Sequence, residues 1–76
     1  MNIDNLLETT IVKFKYQKKD KTIREAIGTC NLNYIPENNH PIEKRTEEQT
    51  ITYFDLEKYQ WRSFIKNNLN EIISHL

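Results

Sequence analysis

Six basic side chains crowd the segment from Lys13 to Arg24: Lys13, Lys15, Lys18, Lys19, Lys21 and Arg24, against the single acid Asp20. Lysines at this density suit phosphate contacts, because each neutralised phosphate releases counterions and adds salt-dependent affinity. Arg62 is a second candidate. With Arg24 it offers the planar fork of donors that matches phosphate or carboxylate. Tyr16, Tyr59 and Trp61 would add base stacking wherever they reach solvent. The competing reading is a lysine-decorated strand edge that keeps a sheet from pairing with its neighbours.

Formal net charge is zero over 76 residues, yet the balance is uneven. The basic segment is answered by Glu37, Glu43, Glu47, Glu48, Asp55 and Glu57, with Lys44 and Arg45 among them. A molecule polarised in this way selects partners by field even at zero total charge. Catalysis is not expected: acids and histidines are not clustered, and one glycine cannot build a phosphate-cradling loop. One cysteine, Cys30, with the distant His40 and His75, gives no metal spacing, so no cofactor is expected. A cation held by Glu47, Glu48 and Asp55 is a minor alternative to solvated loop acids. Cys30 reads as a small buried thiol. With no apolar run of membrane-spanning length and no signal region, a soluble cytoplasmic protein is expected.

These side chains need strands to position them. Val12, Phe14 and Tyr16 alternate with Lys13, Lys15 and Gln17, the period of a half-buried strand. Residues 18–21 read as a turn and Thr22 to Cys30 as the returning strand. Gly28 inside that strand marks a bulge, a bend or the close approach of another backbone. Residues 50–54 and 60–65 flank a polar connection, the pattern of an antiparallel hairpin rich in aromatics. There Trp61 is expected in the core and Arg62 exposed, since strand neighbours face opposite ways. Residues 66–68 form a tight turn, and Leu69 to Ile73 a closing strand rather than a helix. A short helical turn within residues 1–9, capped by Asn2 or Asp4, must dock through its leucines because it is too short to persist alone. Residues 31–49 form a long loop, with Leu32 to Ile35 tucked against the core and the stretch around Glu43 to Glu48 mobile. The fold class is mainly β: one domain, residues 1–76, a five-stranded SH3/Sm-like barrel with a short N-terminal helix.

Three pieces, Arg24-x-Ala26-x-Gly28-Thr29, Tyr53-Phe54-Asp55 and Trp61-Arg62-Ser63, resemble the small WYL-like domains of Bacteroidetes and their phages, which carry a Sm-type SH3 barrel. The likeness covers residues 11 to 73, and Lys21 stands where that family usually has a turn glycine. It implies a neighbourhood of nucleic-acid or nucleotide sensing and regulation of defence systems, including CRISPR. The expected function is therefore a non-enzymatic binding module, with Lys13, Lys15, Lys18, Lys19, Lys21, Arg24 and Arg62 contacting RNA or a ribonucleoprotein nuclease. Its narrowest form is a phage-borne CRISPR inhibitor acting on the guide-RNA site. The alternatives are a regulatory domain that binds nucleic acid or a nucleotide to control transcription, and a subunit that self-associates through its sheet edge.

Overall fold

The computed structural model describes residues 2–40 and 49–76. Helix α1 (Ile3–Thr9) precedes strands β1 (Val12–Gln17), β2 (Ile23–Thr29), β3 (Thr50–Asp55), β4 (Gln60–Ile65) and β5 (Leu69–His75). The strands form one antiparallel sheet in the order β4-β3-β2-β1-β5. The expected mainly-β, five-stranded class with one short N-terminal helix is what the chain adopts, and β5 is the strand expected for the C-terminal segment.

Strand β2 belongs to both halves of the sheet. Ile23 to Gly28 pair along β1, whereas only Gly28 and Thr29 pair with β3, opposite Asp55 and Phe54. The sheet folds over at this seam, which brings Phe64 of β4 onto Tyr16 of β1 with ring centroids 4.3 Å apart, although two strands separate them in the sheet order. Gly28 permits the fold-over. A Cβ there would run into the Tyr53 ring and lie 2.9 Å from the Phe54 carbonyl oxygen, so the close-approach reading of this glycine is the physical one. Val12, Phe14, Tyr16, Ala26, Ile51, Tyr53 and Phe64 fill the interior.

Helix α1 is capped by the Asn2 side chain, which accepts from the Asp4 N–H. It docks through Ile3 and Leu7, with Leu6 partly buried beside them. Its C-terminal carbonyls, which a helix cannot satisfy internally, find partners in β2 and just beyond. The Cys30 N–H donates to the Leu7 carbonyl (2.8 Å), and the Thr29 hydroxyl is shared between the carbonyls of Leu7 (3.0 Å) and Thr10 (2.8 Å).

The first hairpin closes tightly despite the missing glycine. Lys18 N–H donates to the Thr22 carbonyl and Lys21 N–H to the Lys18 carbonyl, while Lys21 itself takes φ 70°. Asp20 pins the exit of the turn by accepting from both the N–H and the hydroxyl of Thr22.

Several sequence expectations are corrected here. Of Leu32 to Ile35 only Ile35 is buried, because the segment winds into a 3₁₀ turn, Leu32–Tyr34, that turns Leu32 and Tyr34 to solvent. A second such turn, Glu37–Asn39, follows, and the His40 Nε2 lies against the Leu32 and Ile35 carbonyls. Residues 31–40 are thus structured loop; Glu43 to Glu48 lie outside the described residues. Cys30 is half-buried rather than fully so, its thiol donating to the Thr52 carbonyl. Trp61 is half-buried on the outer face of the β3–β4 hairpin, set edge-on against Phe54, with its indole N–H on the Asn39 carbonyl. No helix among the described residues is long and apolar enough to cross a membrane.

Candidate nucleic-acid interface

Strand alternation decides what faces inward. From Phe14 and Tyr16 on β1, the register places Ala26 and Arg24 beside them on β2. On β3 the inward set is Ile51, Tyr53 and Asp55, and opposite Tyr53 stands Arg62. One end of the barrel interior therefore carries Tyr16, Tyr53, Arg24, Asp55 and Arg62. The rest of the described interior is apolar apart from Thr10 and Thr29 beside α1.

Asp55 is the centre of this end and is fully buried. Its Oδ1 accepts from the backbone N–H groups of Glu57 (2.9 Å) and Lys58 (3.1 Å). Its Oδ2 lies 2.6 Å from Arg24 Nη2 and 3.1 Å from Arg62 Nε. Burial by itself would push the carboxyl up; the two backbone donors and Arg24 outweigh it and hold Asp55 below the usual carboxylate range. Burial likewise opposes the charge on Arg24, and the hydrogen bonds it makes to Asp55 and Tyr53 more than restore it. The Tyr16 and Tyr53 hydroxyls are 2.9 Å apart, and burial together with that bond pushes Tyr53 well above the ordinary phenol range.

A carboxylate saturated by backbone donors and guanidinium groups cannot act as a general base or bind a cation, which removes Asp55 from the cation alternative. Two guanidiniums around one carboxylate leave one formal positive charge; among the described residues the buried Arg24 Nε–H makes no hydrogen bond, and the Arg62 Nε–H faces Asp55 Oδ2 at 3.1 Å without the alignment of one. Among the described residues no group of three or more His, Cys, Asp or Glu is placed to hold a metal.

The structure divides the seven candidate residues into three sets. Lys13 pairs with Glu25 (3.1 Å) and Lys15 with Glu71 (3.6 Å), so their charges are answered within the sheet. Strand β1 is flanked by β2 and β5, which disposes of the edge-protection reading. Lys18, Lys19 and Lys21 are exposed on the hairpin tip and take part in no ion pair among the described residues. Arg24 and Arg62, expected as exposed forks, instead turn into the barrel toward Asp55. The reason lies on β4: Trp61 packs on the outer face against Phe54, so its neighbour Arg62 falls on the inner face opposite Tyr53.

Beside this end opens a groove of about 670 Å³, running between the hairpin tip and β4. Lys18, Lys19, Arg62, Gln17, Ser63 and Asn68 line it together with one acid, Asp20, and Tyr16 and Phe64 also border it. Arg62 and Tyr16 thus belong to the groove and to the charged barrel end at once.

Residues 1–70 match the WYL_2 family, described as a Sm-like SH3 beta-barrel fold, and the barrel just described agrees with that description. The chain belongs to the WYL_2 family. No curated protein and no solved structure matches it. The three segments on which the sequence resemblance rests supply Arg24, Gly28, Tyr53, Asp55 and Arg62, which build the seam and the charged end of this WYL_2 barrel. Sequence reasoning weighed Asp55 only as a minor cation ligand and missed its pairing with Arg24 and Arg62. A signal existed: Asp55 follows Tyr53 by two at the end of a strand, and an acid at an inward position requires a buried cation.

Proposed function

We propose that this WYL_2 domain is a non-enzymatic nucleic-acid-binding module that holds the backbone of a single strand, RNA in the first instance, in the groove between the hairpin tip and β4. The observation that carries the reading is the composition of the groove wall. Lys18, Lys19 and Arg62 bring three cationic groups against the single lining acid Asp20, and Gln17, Ser63 and Asn68 add neutral donors. Phosphate contacts of this kind position a strand without reading its bases.

Fluorescence anisotropy with a labelled single-stranded RNA across a salt series tests this. For single strands the slope of log affinity against log salt is about −0.7 per neutralised phosphate. The Lys18→Gln/Lys19→Gln variant is expected to flatten the slope by about 1.4 on that basis. Lys15→Gln is expected to leave it unchanged, because Lys15 is engaged with Glu71. Equal losses from both variants would remove the groove as the contact. In its narrowest form the strand is the guide of a CRISPR effector and the protein an inhibitor of phage origin. That form leans on the sequence resemblance. Its check is a nuclease captured from a host lysate before, and not after, ribonuclease treatment.

A further inference from the structure

We propose that Tyr59 is a stacking platform for one base of the bound strand, where the strand leaves the groove over β4. This rests on the nucleic-acid reading above and specifies where a base, rather than a phosphate, is held.

The groove itself offers no ring for stacking, since Tyr16 and Phe64 border it but are buried. Among the described residues the exposed aromatics are Tyr34 and Tyr59. Tyr34 ends a 3₁₀ turn, with no ring against it among the described residues. Tyr59 differs on three counts. It is 63% exposed, yet the fully buried Phe54 backs its ring, with centroids 6.1 Å apart and planes 21° from parallel. That support orders the ring before a ligand arrives, so little side-chain freedom is lost on binding. Its backbone takes φ 54°, a left-handed conformation that bulky residues rarely adopt, and its N–H closes the turn onto the Asp55 carbonyl. Glycine would make this turn with less strain, so an aromatic kept there points to a use for the ring. The third count is position. Trp61, Ser63 and Ile65 alternate along the outer face of β4; Trp61 lies edge-on to Phe54, while Ser63 and Ile65 line the groove. That face therefore leads from the groove to the aromatic cluster, about 13 Å at the rise of a strand. An exposed ring outside any pocket suits a planar ligand, and every base has a face to stack. Glu57 and Lys58 beside Tyr59 cancel, so the platform adds no net charge to the phosphate contacts.

The test is anisotropy with the labelled single-stranded RNA on Tyr59→Leu and Tyr59→Phe. Tyr59→Leu should weaken binding about 5- to 150-fold, the range that loss of one stacked base gives. Its salt slope should stay that of the parent, unlike the slope of Lys18→Gln/Lys19→Gln. Tyr59→Phe keeps the ring and should bind as the parent does. Melting curves followed by circular dichroism establish that both variants fold. A strand of the same length without bases needs no variant, and should bind the parent more weakly than the RNA does. Adenosine serves as a separate probe, read at the Tyr59 ring resonances by NMR. Equal binding by the parent and Tyr59→Leu, or of the two strands, overturns the platform and leaves the groove reading standing. A flattened slope in Tyr59→Leu assigns the loss to phosphate contacts and overturns it too. If no strand binds and adenosine still shifts the Tyr59 ring, the platform stands and the nucleic-acid reading falls. If no strand binds and the ring stays still, both fall.

Discussion

Replacing Asp55 by Asn isolates the charge at the barrel end. The amide keeps an oxygen for the Glu57 and Lys58 N–H groups but turns a donor, or at best a neutral oxygen, toward Arg24 and Arg62. Removing one partner from a buried ion pair costs about 3–5 kcal/mol, because the remaining charges stay buried and unanswered. A domain of this length has a total stability of about 4–11 kcal/mol at the usual per-residue value, so Asp55→Asn should remove a large share of it. At about 4–8 °C per kcal/mol, a loss of about 3 kcal/mol lowers Tm by roughly 12–24 °C. Urea denaturation followed by circular dichroism reads the change directly. A second arm uses pH. Because the folded carboxyl lies below its usual value, the unfolded chain binds the extra proton first as pH falls. The Asp55 contribution is thus complete above about pH 4, the unfolded value, and fades as pH drops through the folded one. Asp55→Asn should flatten that acid limb. A variant within 1 kcal/mol of the parent, with the acid limb intact, would refute the claim that the Asp55 charge holds this end together.

Two other perturbations follow from the backbone. Gly28→Ala forces a methyl group against the Tyr53 ring and the Phe54 carbonyl; overpacking of this kind costs about 1–3 kcal/mol, and a lowered urea midpoint is the expected readout. Lys21→Gly relieves a left-handed residue at φ 70°. That conformation costs an ordinary residue about 1–2 kcal/mol, of which glycine's greater chain entropy returns part, so a gain of about 0.5–1 kcal/mol is expected in the same assay.

Local features were the legible ones. The alternation of Val12, Phe14 and Tyr16 with lysines, the cap at Asn2 and the tight approach at Gly28 each depend on residues close in sequence or on one steric fact. What could not be read depends on long-range register. The Lys18–Lys21 turn fixes the β1–β2 register and sets Glu25 opposite Lys15 with Lys13 diagonal to it, so an acid beside these two lysines was within reach. The Lys15 pairing with Glu71 was not, because β5 meets β1 across two irregular steps in register. Arg62 was misplaced for a different reason. Alternation says only that Trp61 and Arg62 face opposite ways; it cannot say which face is the interior when the outer one also holds partners for the indole, Phe54 and the Asn39 carbonyl. The default that an aromatic lies inside picked the wrong side, and with it hid the cluster around Asp55.

The narrow seam at Gly28 and Thr29 also bears on how the chain reaches its fold. The β1–β2 and β3–β4 hairpins each close locally, whereas their union depends on two residue pairs and on the Thr29 hydroxyl that secures α1. Local hairpins form in about 1–10 μs, and docking the two halves additionally requires closure of the connection between them. Loop closure is only weakly sensitive to length, about 0.6 kcal/mol for each doubling. On that scaling, lengthening the connection between β2 and β3 costs little in closure entropy wherever the buried Ile35 and the Asn39 carbonyl that holds Trp61 keep their places.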